Sequence, residues 1–336
     1  MSTEKEKSRI AYIDFLKFIG ITAIIIAHVG SPNWLMALRS FDVPFMVILS
    51  AILGTKSYLA RKNNEISVLN YYASRFKRLV FPTWLFLLFY FGVAFVMTGT
   101  LQEVKYYVAS FALTRYGIGY VWVILIYLYS ALLIPLFSKV KLSSRVTLCV
   151  FVVYVIYELA YYFQIGTDNK IIDTTFYYFI PYGVLTYLGC NYDRFTKKQR
   201  NIIAILSSAI VVVLGGYHWM EFGAPQLFSA AKYPPRLYYL SYGVAVSFLL
   251  LIIFEKYTLK VYNNVCIRFI SKNSLWIYLW HIFTLSIYRY LKLPEIWFVK
   301  LLVVYVSAIG IAWVVKKIVT MIEKKKRYAV LKYITD

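Results

Sequence analysis

Residues 12–28 read YIDFLKFIGITAIIIAH, an apolar run close to the length of a membrane helix that also contains three ionisable residues. A helix needs about 20 mostly apolar residues to cross a bilayer core of about 30 Å. The ionisable residues are Asp14, Lys17 and His28. Because an ionisable side chain inside a membrane span is costly, each of the three is a candidate for function.

The composition extends this interpretation to the whole chain. Its 336 residues are 61% hydrophobic, 19% aromatic and only 15% charged, which is more apolar surface than one soluble core can bury. We predict an all-α integral membrane protein, with one transmembrane domain over 1–336 and no extra soluble domain. Ten apolar runs predict ten spans, at 10–30, 41–60, 79–99, 120–138, 146–164, 175–190, 202–218, 236–255, 273–290 and 296–318.

The basic residues are divided unevenly between the two sides of these predicted spans. The formal net charge is +22, from 37 Lys and Arg against 15 Asp and Glu. Twenty-seven of the 37 fall on one side, Lys17 stays inside a span, and nine fall on the other side: Arg39, Lys105, Arg115, Lys170, Lys232, Arg236, Arg289, Lys292 and Lys300. The positive-inside rule therefore places both termini in the cytoplasm. Topology and anionic lipid headgroups account for the charge, so nucleic acid is not an expected partner.

The three cysteines, Cys149, Cys190 and Cys266, are widely spaced and in or beside apolar stretches. Neither a disulfide framework nor a zinc motif is available from them. No metal is expected in the site.

On a helix, the three ionisable residues of the first span share one face. Lys17 and His28 are eleven residues apart, within about 20° of three full turns and about 16 Å along the axis, and Asp14 lies within about 40° of the same line. Asp14 and Lys17 could instead be a satisfied pair near the cytoplasmic interface, and His28 an interfacial histidine without a role. The alignment of all three favours function.

Two further places carry candidate residues. Arg75 and Arg78 are one turn apart before Pro82, and they could be positive-inside anchors or a clamp for phosphate groups. His281 lies near the middle of the ninth predicted span, which favours a polar pocket over a merely buried histidine. Histidine is the commonest general base for a hydroxyl that attacks an acyl carbonyl. A proton-coupled transporter, however, also uses Asp, Lys and His inside the membrane.

The order of these motifs resembles the membrane-bound acyltransferase-3 family. The stretch over 12–28 is similar to the family's opening motif, in which a basic residue precedes a histidine by eleven positions; Lys17 and His28 match that pair, and Asp14 matches an accompanying acid. FDVPFMVILSAIL (41–53) resembles the second-helix segment, where Ser50 matches and Ala51 stands in place of the usual glycine. Because that glycine allows close backbone packing, Ala51 is expected to weaken it.

Four later segments resemble the family in the same order. RFKRLVFP (75–82) matches its Arg-x-x-Arg motif followed by proline, and GYVWVILIYLYSALLIP (119–135) resembles its fourth-helix segment through Trp122. KYPPRLYYLSYG (232–243) and NSLWIYLWHIF (273–283) resemble late segments of the sugar O-acetylases in the family.

The resemblance implies an enzyme of the bacterial plasma membrane that moves an acetyl group from cytoplasmic acetyl-CoA to a sugar hydroxyl. The acceptor would be a surface polysaccharide, such as O-antigen or capsule, or its lipid-linked precursor. His28 would be the base or would briefly carry the acyl group. Lys17, beside Asp14, would orient the thioester or stabilise developing negative charge.

The resemblance also assigns binding roles. Arg75 and Arg78 would bind the coenzyme A phosphates, and Trp122 would line the passage for the pantetheine arm. The residues expected to contact the sugar are His281, Ser50, Tyr233 and Tyr239.

Two alternatives of other classes remain open from the sequence. An exporter of polysaccharide or lipid-linked sugar would also have ten spans and an outward aromatic rim, although no repeated halves of the transporter kind are visible. A structural partner of a polysaccharide synthase would use the polar stripe only for packing. The expected partners are the glycan acceptor and membrane lipids, and a homo-oligomer is left open.

Overall fold

The described part of the chain is built from helices. The computed structural model describes residues 4–62, 67–224, 227–257 and 260–325, and it contains no β-strand in these ranges. Short 3-10 helices cover Arg39–Phe41, Phe228–Ala231 and Lys260–Asn263. The α-helices are α1 Glu4–Ile26, α2 Asn33–Leu38, α3 Asp42–Lys62, α4 Val68–Thr98, α5 Val104–Phe111, α6 Trp122–Lys139, α7 Ser144–Tyr162, α8 Lys170–Thr174, α9 Phe176–Asn191, α10 Lys197–Phe222, α11 Leu237–Lys256, α12 Val265–Lys272, α13 Ser274–Tyr290 and α14 Trp297–Lys325.

Several of these helices are long and apolar enough to cross a membrane, which confirms the prediction of an all-α, multi-pass membrane protein. Within the described ranges, the segments that meet this condition are Asn33–Ala60, Val68–Thr98, Trp122–Lys139, Ser144–Tyr162, Lys197–Phe222, Leu237–Lys256 and Trp297–Ile322.

The other three predicted spans coincide with helices of a different character. Helices α9 and α13 have only 16 and 17 residues. Helix α1 is 23 residues long, but Arg9, Asp14 and Lys17 make it more polar than an ordinary span. Ten crossings therefore stay a prediction, and so does the cytoplasmic side of the termini, because residues 1–3 and 326–336 lie outside the described residues.

The boundary differences that concern candidate site residues are at the first and third predicted spans. Helix α1 ends at Ile26 rather than at residue 30. His28 lies in the turn that follows, where its backbone N–H donates to the carbonyl of Ile25 at 3.0 Å. Helix α4 begins at Val68, eleven residues before the predicted start. Arg75 and Arg78 therefore lie inside a helix, because its first turns are polar and an apolar window misses them.

The chain divides into two compact units, and the prediction of one domain is not tested by this division. Unit 1 comprises Met1–Asn33, Tyr72–Leu125 and Leu259–Asp336. Within it, α1 packs on α12, α13 and α14, and α13 packs along α14. Leu16 and Ile25 of α1 and Leu279 of α13 are buried, so apolar faces of these helices form its core.

Unit 2 comprises Trp34–Tyr71 and Ile126–Thr258, and in it α3 packs on α9 and α11. A Cβ added at Gly189 of α9 would lie 2.6 Å from the Cβ of Ala51 and 2.7 Å from the carbonyl oxygen of Ile48. Small residues let membrane helices approach this closely. The expectation that Ala51 weakens close packing is therefore wrong, because the glycine that allows the contact lies on the facing helix.

Candidate active site

Two histidines, His28 and His281, meet within unit 1. Helix α13 holds His281 in a position with 0% exposure, whereas His28 is half-buried in the turn after α1. Nδ1 of His28 lies 2.9 Å from Nε2 of His281, and the rings are nearly parallel, with 15° between their planes. Two histidines 253 residues apart in sequence are thus at hydrogen-bond distance; we call them the histidine pair.

A second hydrogen bond of His281 determines which ring nitrogens carry protons. Nδ1 of His281 bonds to the backbone carbonyl of Tyr278, three residues earlier on α13. A carbonyl oxygen only accepts, so Nδ1 must be the donor, and in a neutral ring Nε2 then has the lone pair. That lone pair accepts the proton on Nδ1 of His28. When both rings are neutral, Nε2 of His28 is the nitrogen without a proton, as a general base requires.

Two tyrosines that the sequence did not single out surround the histidine pair. The ring of Tyr120 stands edge-on to that of His28, with 4.7 Å between centroids. The hydroxyl of Tyr278 donates to the carbonyl of Tyr120, which joins the segment before α6 to α13. The only sequence signal was position, since Tyr120 lies two residues before Trp122 and Tyr278 lies three before His281. Among 33 tyrosines in the chain, that signal was too weak.

Asp14 and Lys17 both bind one residue at the C-terminal end of α12. Lys17 Nζ donates to the backbone carbonyl of Ser271 at 2.7 Å, and the Ser271 hydroxyl donates to Asp14 Oδ1 at 2.7 Å. About 14 Å of helix separates Lys17 from Ile26, beyond which His28 lies. The structure therefore keeps Asp14 and Lys17 together on α1, but it places His28 beyond the end of that helix and the Lys17 charge well away from the histidine pair.

The predicted residues for the donor also lie in unit 1. Arg75 and Arg78 are half-buried, one turn apart on α4, a spacing that suits two guanidinium groups acting on one phosphate-bearing ligand. Trp122 is the first residue of α6 and is 8% exposed. It follows Tyr120 by two residues, so the segment that touches His28 also carries the predicted pantetheine contact.

The remaining predicted sugar contacts lie in unit 2. Ser50 of α3 is half-buried, Tyr239 of α11 is fully buried, and Tyr233 is 45% exposed. His281 is therefore the predicted sugar contact that the structure brings to His28, whereas the other three belong to the second unit. Among the described residues, no group of three or more His, Cys, Asp or Glu side chains is arranged to hold a metal ion.

Comparison with known protein families gives a match over most of the chain. The acyltransferase-3 family model, described as an acyltransferase domain, matches residues 10–317. The matched range contains every site residue named above. No curated protein and no solved structure matches the chain.

Proposed function

The chain belongs to the acyltransferase-3 family, and on that premise we propose that it moves an acetyl group from cytoplasmic acetyl-CoA to a hydroxyl of a cell-surface sugar or its lipid-linked precursor. The observation that carries the proposal is the 2.9 Å contact between Nδ1 of His28 and Nε2 of His281. It leaves a half-buried imidazole with its lone pair on Nε2, in a protein whose family transfers acyl groups.

In the proposed reaction, Nε2 of His28 takes the proton of the acceptor hydroxyl as its oxygen attacks the thioester carbonyl. The new C–O bond forms, the C–S bond breaks, and the proton passes from His28 to the departing thiolate of coenzyme A. The bond from His28 Nδ1–H to His281 stabilises the imidazolium between these steps, because the proton on Nδ1 already has an acceptor. An acyl group carried briefly on Nε2 would need the same lone pair.

The donor is held by residues on α4, α6 and α1. Arg75 and Arg78 bind the phosphates of coenzyme A, where arginine forks match phosphate oxygens, and Trp122 lines the passage of the pantetheine arm. Lys17 lies about 14 Å of helix before the turn that carries His28. It therefore contacts the extended donor far from the reacting carbonyl and orients it.

The acceptor is a sugar of a surface polysaccharide, of the O-antigen or capsule kind, or the lipid-linked unit from which such a polymer is made. Tyr233 offers an exposed aromatic face and a hydroxyl to a sugar, and Ser50 offers a hydroxyl, whereas the ring of Tyr239 is fully buried. Membrane lipids surround the spans. The proposed chemistry belongs to the histidine pair of unit 1.

The test is an acetyl-transfer assay on the purified protein in lipid nanodiscs, with radiolabelled acetyl-CoA and bacterial surface oligosaccharides. We expect coenzyme A to be released only when a sugar acceptor is present, and His28→Ala to lower kcat by about 100- to 10,000-fold. The matched control is His218→Ala, since His218 lies at the C-terminal end of α10 in unit 2 and bonds to the Ala224 carbonyl.

Two results would overturn the proposal. One is unchanged transfer by a folded His28→Ala variant. The other is movement of labelled glycan across the membrane of proteoliposomes without consumption of acetyl-CoA, which would identify an exporter.

A further inference from the structure

Unit 2 buries three charged side chains that the proposed chemistry does not use. Arg39 lies in the 3-10 turn before α3, Asp42 is the first residue of α3, and Lys232 follows the 3-10 turn Phe228–Ala231. Their side chains are only 8%, 2% and 10% exposed. We call these three residues the charged cluster.

The charges of this cluster do not balance. Arg39 Nη1 donates to Asp42 Oδ2 at 2.7 Å, while Lys232 Nζ lies 3.8 Å from Asp42 Oδ1, beyond hydrogen-bond distance. Oδ1 is already bound by the backbone N–H of Val43 at 2.7 Å. Two cations therefore share one carboxylate whose oxygens are both engaged.

Some donors of the cluster are unused. Nε of Arg39 is buried and has no hydrogen-bond partner among the described residues. Lys232 Nζ makes no hydrogen bond within the described ranges, and its nearest anionic atom is Asp42 Oδ1 at 3.8 Å. An unbalanced charge in a buried cluster and an unsatisfied buried donor, Arg39 Nε, are costly, especially in a membrane protein. An anionic ligand would balance the charge and accept these hydrogen bonds.

Tyrosines around Lys232 narrow the class of ligand. Lys232 Nζ lies 5.6 Å from the centre of the Tyr233 ring and 5.9 Å from that of Tyr239. Tyr239 is fully buried and Tyr233 is 45% exposed, so the aromatic surface runs from the cluster towards the outside of the unit. Aromatic faces and phenol hydroxyls suit a sugar ring, whereas a free inorganic ion would use only the charges.

We propose that Arg39 and Lys232 bind the carboxylate or phosphate of an anionic sugar, which lies against the exposed ring of Tyr233. This rests on the proposed function, in which the acetyl acceptor is a sugar. The carboxylate would belong to a uronic acid in the polymer, and the phosphate to a lipid-linked sugar. Both offer the same chemistry, two or more anionic oxygens on a sugar.

The experiment measures binding to the whole protein in nanodiscs of neutral lipid. The two anionic probes are a glucuronate-containing oligosaccharide and a polyprenyl-pyrophosphate sugar. Their neutral controls are, respectively, a glucose oligosaccharide and a polyprenyl-linked sugar without phosphate. We expect at least one anionic probe to bind about tenfold or more tightly than its neutral control, as hydrogen bonds to charged groups predict. The probe that shows this preference identifies the source of the anion.

Three variants locate the preference. Lys232→Gln should remove most of it, whereas Lys232→Arg should keep it because the charge remains. Lys56→Gln is the matched control, a lysine of the same unit whose Nζ pairs with Asp193 at 3.3 Å and which lies fourteen residues, or about 21 Å, along α3 from Asp42. It should bind as the wild type does.

Equal binding of anionic and neutral probes by the wild type would overturn the inference, and so would an unchanged preference in folded Lys232→Gln. The wild-type comparison decides the matter even where that variant does not fold. Lys232-dependent binding without any acetyl transfer would uphold the inference and refute the proposed function. Acetyl transfer to neutral sugars without an anionic preference would do the reverse.

Discussion

The histidine pair of unit 1 and the charged cluster of unit 2 differ in how far their hydrogen bonds and charges are balanced. In the pair, the bonds run in one direction, from Nδ1–H of His28 to His281 and from His281 to a carbonyl, and no net charge is buried while the rings are neutral. In the cluster, two cations share one carboxylate and one buried donor, Arg39 Nε, has no hydrogen-bond partner among the described residues. A chain of hydrogen bonds that leaves the lone pair on Nε2 of His28 suits proton transfer at that atom, whereas an unbalanced charge suits retention of an anion.

After substitution of His28 itself, substitution of its partner His281 should lower kcat the most. His281→Phe keeps a ring of similar size but removes the acceptor for His28 Nδ1–H. The proton of neutral His28 is then no longer held on Nδ1 and can also occupy Nε2. We expect kcat to fall about 10- to 100-fold, the value of one orienting hydrogen bond, with the KM for acetyl-CoA unchanged. Steady-state kinetics of the nanodisc-embedded protein measures both.

A second variant at the same position separates positioning from packing. The side-chain oxygen of Gln in His281→Gln can accept from His28 Nδ1–H, so part of the lost kcat should return. A kcat in His281→Phe equal to that of the wild type would show that His28 acts without its partner, and the contrast between pair and cluster would then fail.

Local chemistry on one helix was predictable, but contacts between distant segments were not. Asp14 and Lys17 follow from spacing along α1, His28 from the same spacing continued into the turn after Ile26, and His281 from its depth in an apolar run. Their partners do not, because a sequence carries no register between α1 and α13, or between α1 and α12, where Ser271 joins Asp14 to Lys17. The end of α1 at Ile26 was missed because Ala27 and Val29 continue the apolar run as far as Gly30, beyond the last turn of the helix.

The charged cluster shows a second limit. Counting basic residues by loop assigned Arg39 and Lys232 to the outer side and treated both as topology signals. The structure buries them against Asp42, because short 3-10 turns fold these loop segments back onto α3 and α11. Such counting predicts the side of the membrane on which a charge lies, but it does not predict burial.

Substitution of Lys17 should have an intermediate effect on the kinetics, and it tests whether this lysine acts on the donor or together with the histidine pair. Lys17→Gln can still donate to the Ser271 carbonyl but lacks the charge. If Lys17 orients the donor far from the reacting carbonyl, the KM for acetyl-CoA should rise about tenfold, because about that much affinity is lost with one charged hydrogen bond. The kcat should not change. Lys17→Arg should behave as the wild type does, because the positive charge remains.

The matched control for Lys17 is Lys316→Gln. Lys316 donates to Asn273 at 3.2 Å, two residues from Ser271, so it loses the same charge beside the same turn. The KM for acetyl-CoA of the Lys316→Gln variant should equal that of the wild type. A fall in kcat for Lys17→Gln at constant KM would instead place this lysine at the reacting carbonyl and extend the histidine pair along α1.

The smallest effect is expected in the scaffold of the charged cluster, where α3 begins at Asp42 and packs on α9 through Gly189. Gly189→Ala would bring a methyl group to 2.6 Å from the Ala51 Cβ and 2.7 Å from the Ile48 carbonyl oxygen. The helices must then separate, which costs about 1–3 kcal/mol. We expect a loss of about 2–10 °C in the melting temperature, measured by thermal unfolding in nanodiscs.

A double variant and a control show whether this loss comes from the contact itself. Ala51→Gly in the Gly189→Ala background removes the clash with the methyl group but not the one with the Ile48 carbonyl, so only part of the melting temperature should return. Gly216→Ala on α10 adds the same methyl group where nothing lies within 4 Å, and it should not lower the melting temperature, since alanine also favours the helix. Equal losses at both glycines would mean that helix flexibility, rather than the close approach of α3 and α9, sets the stability of unit 2.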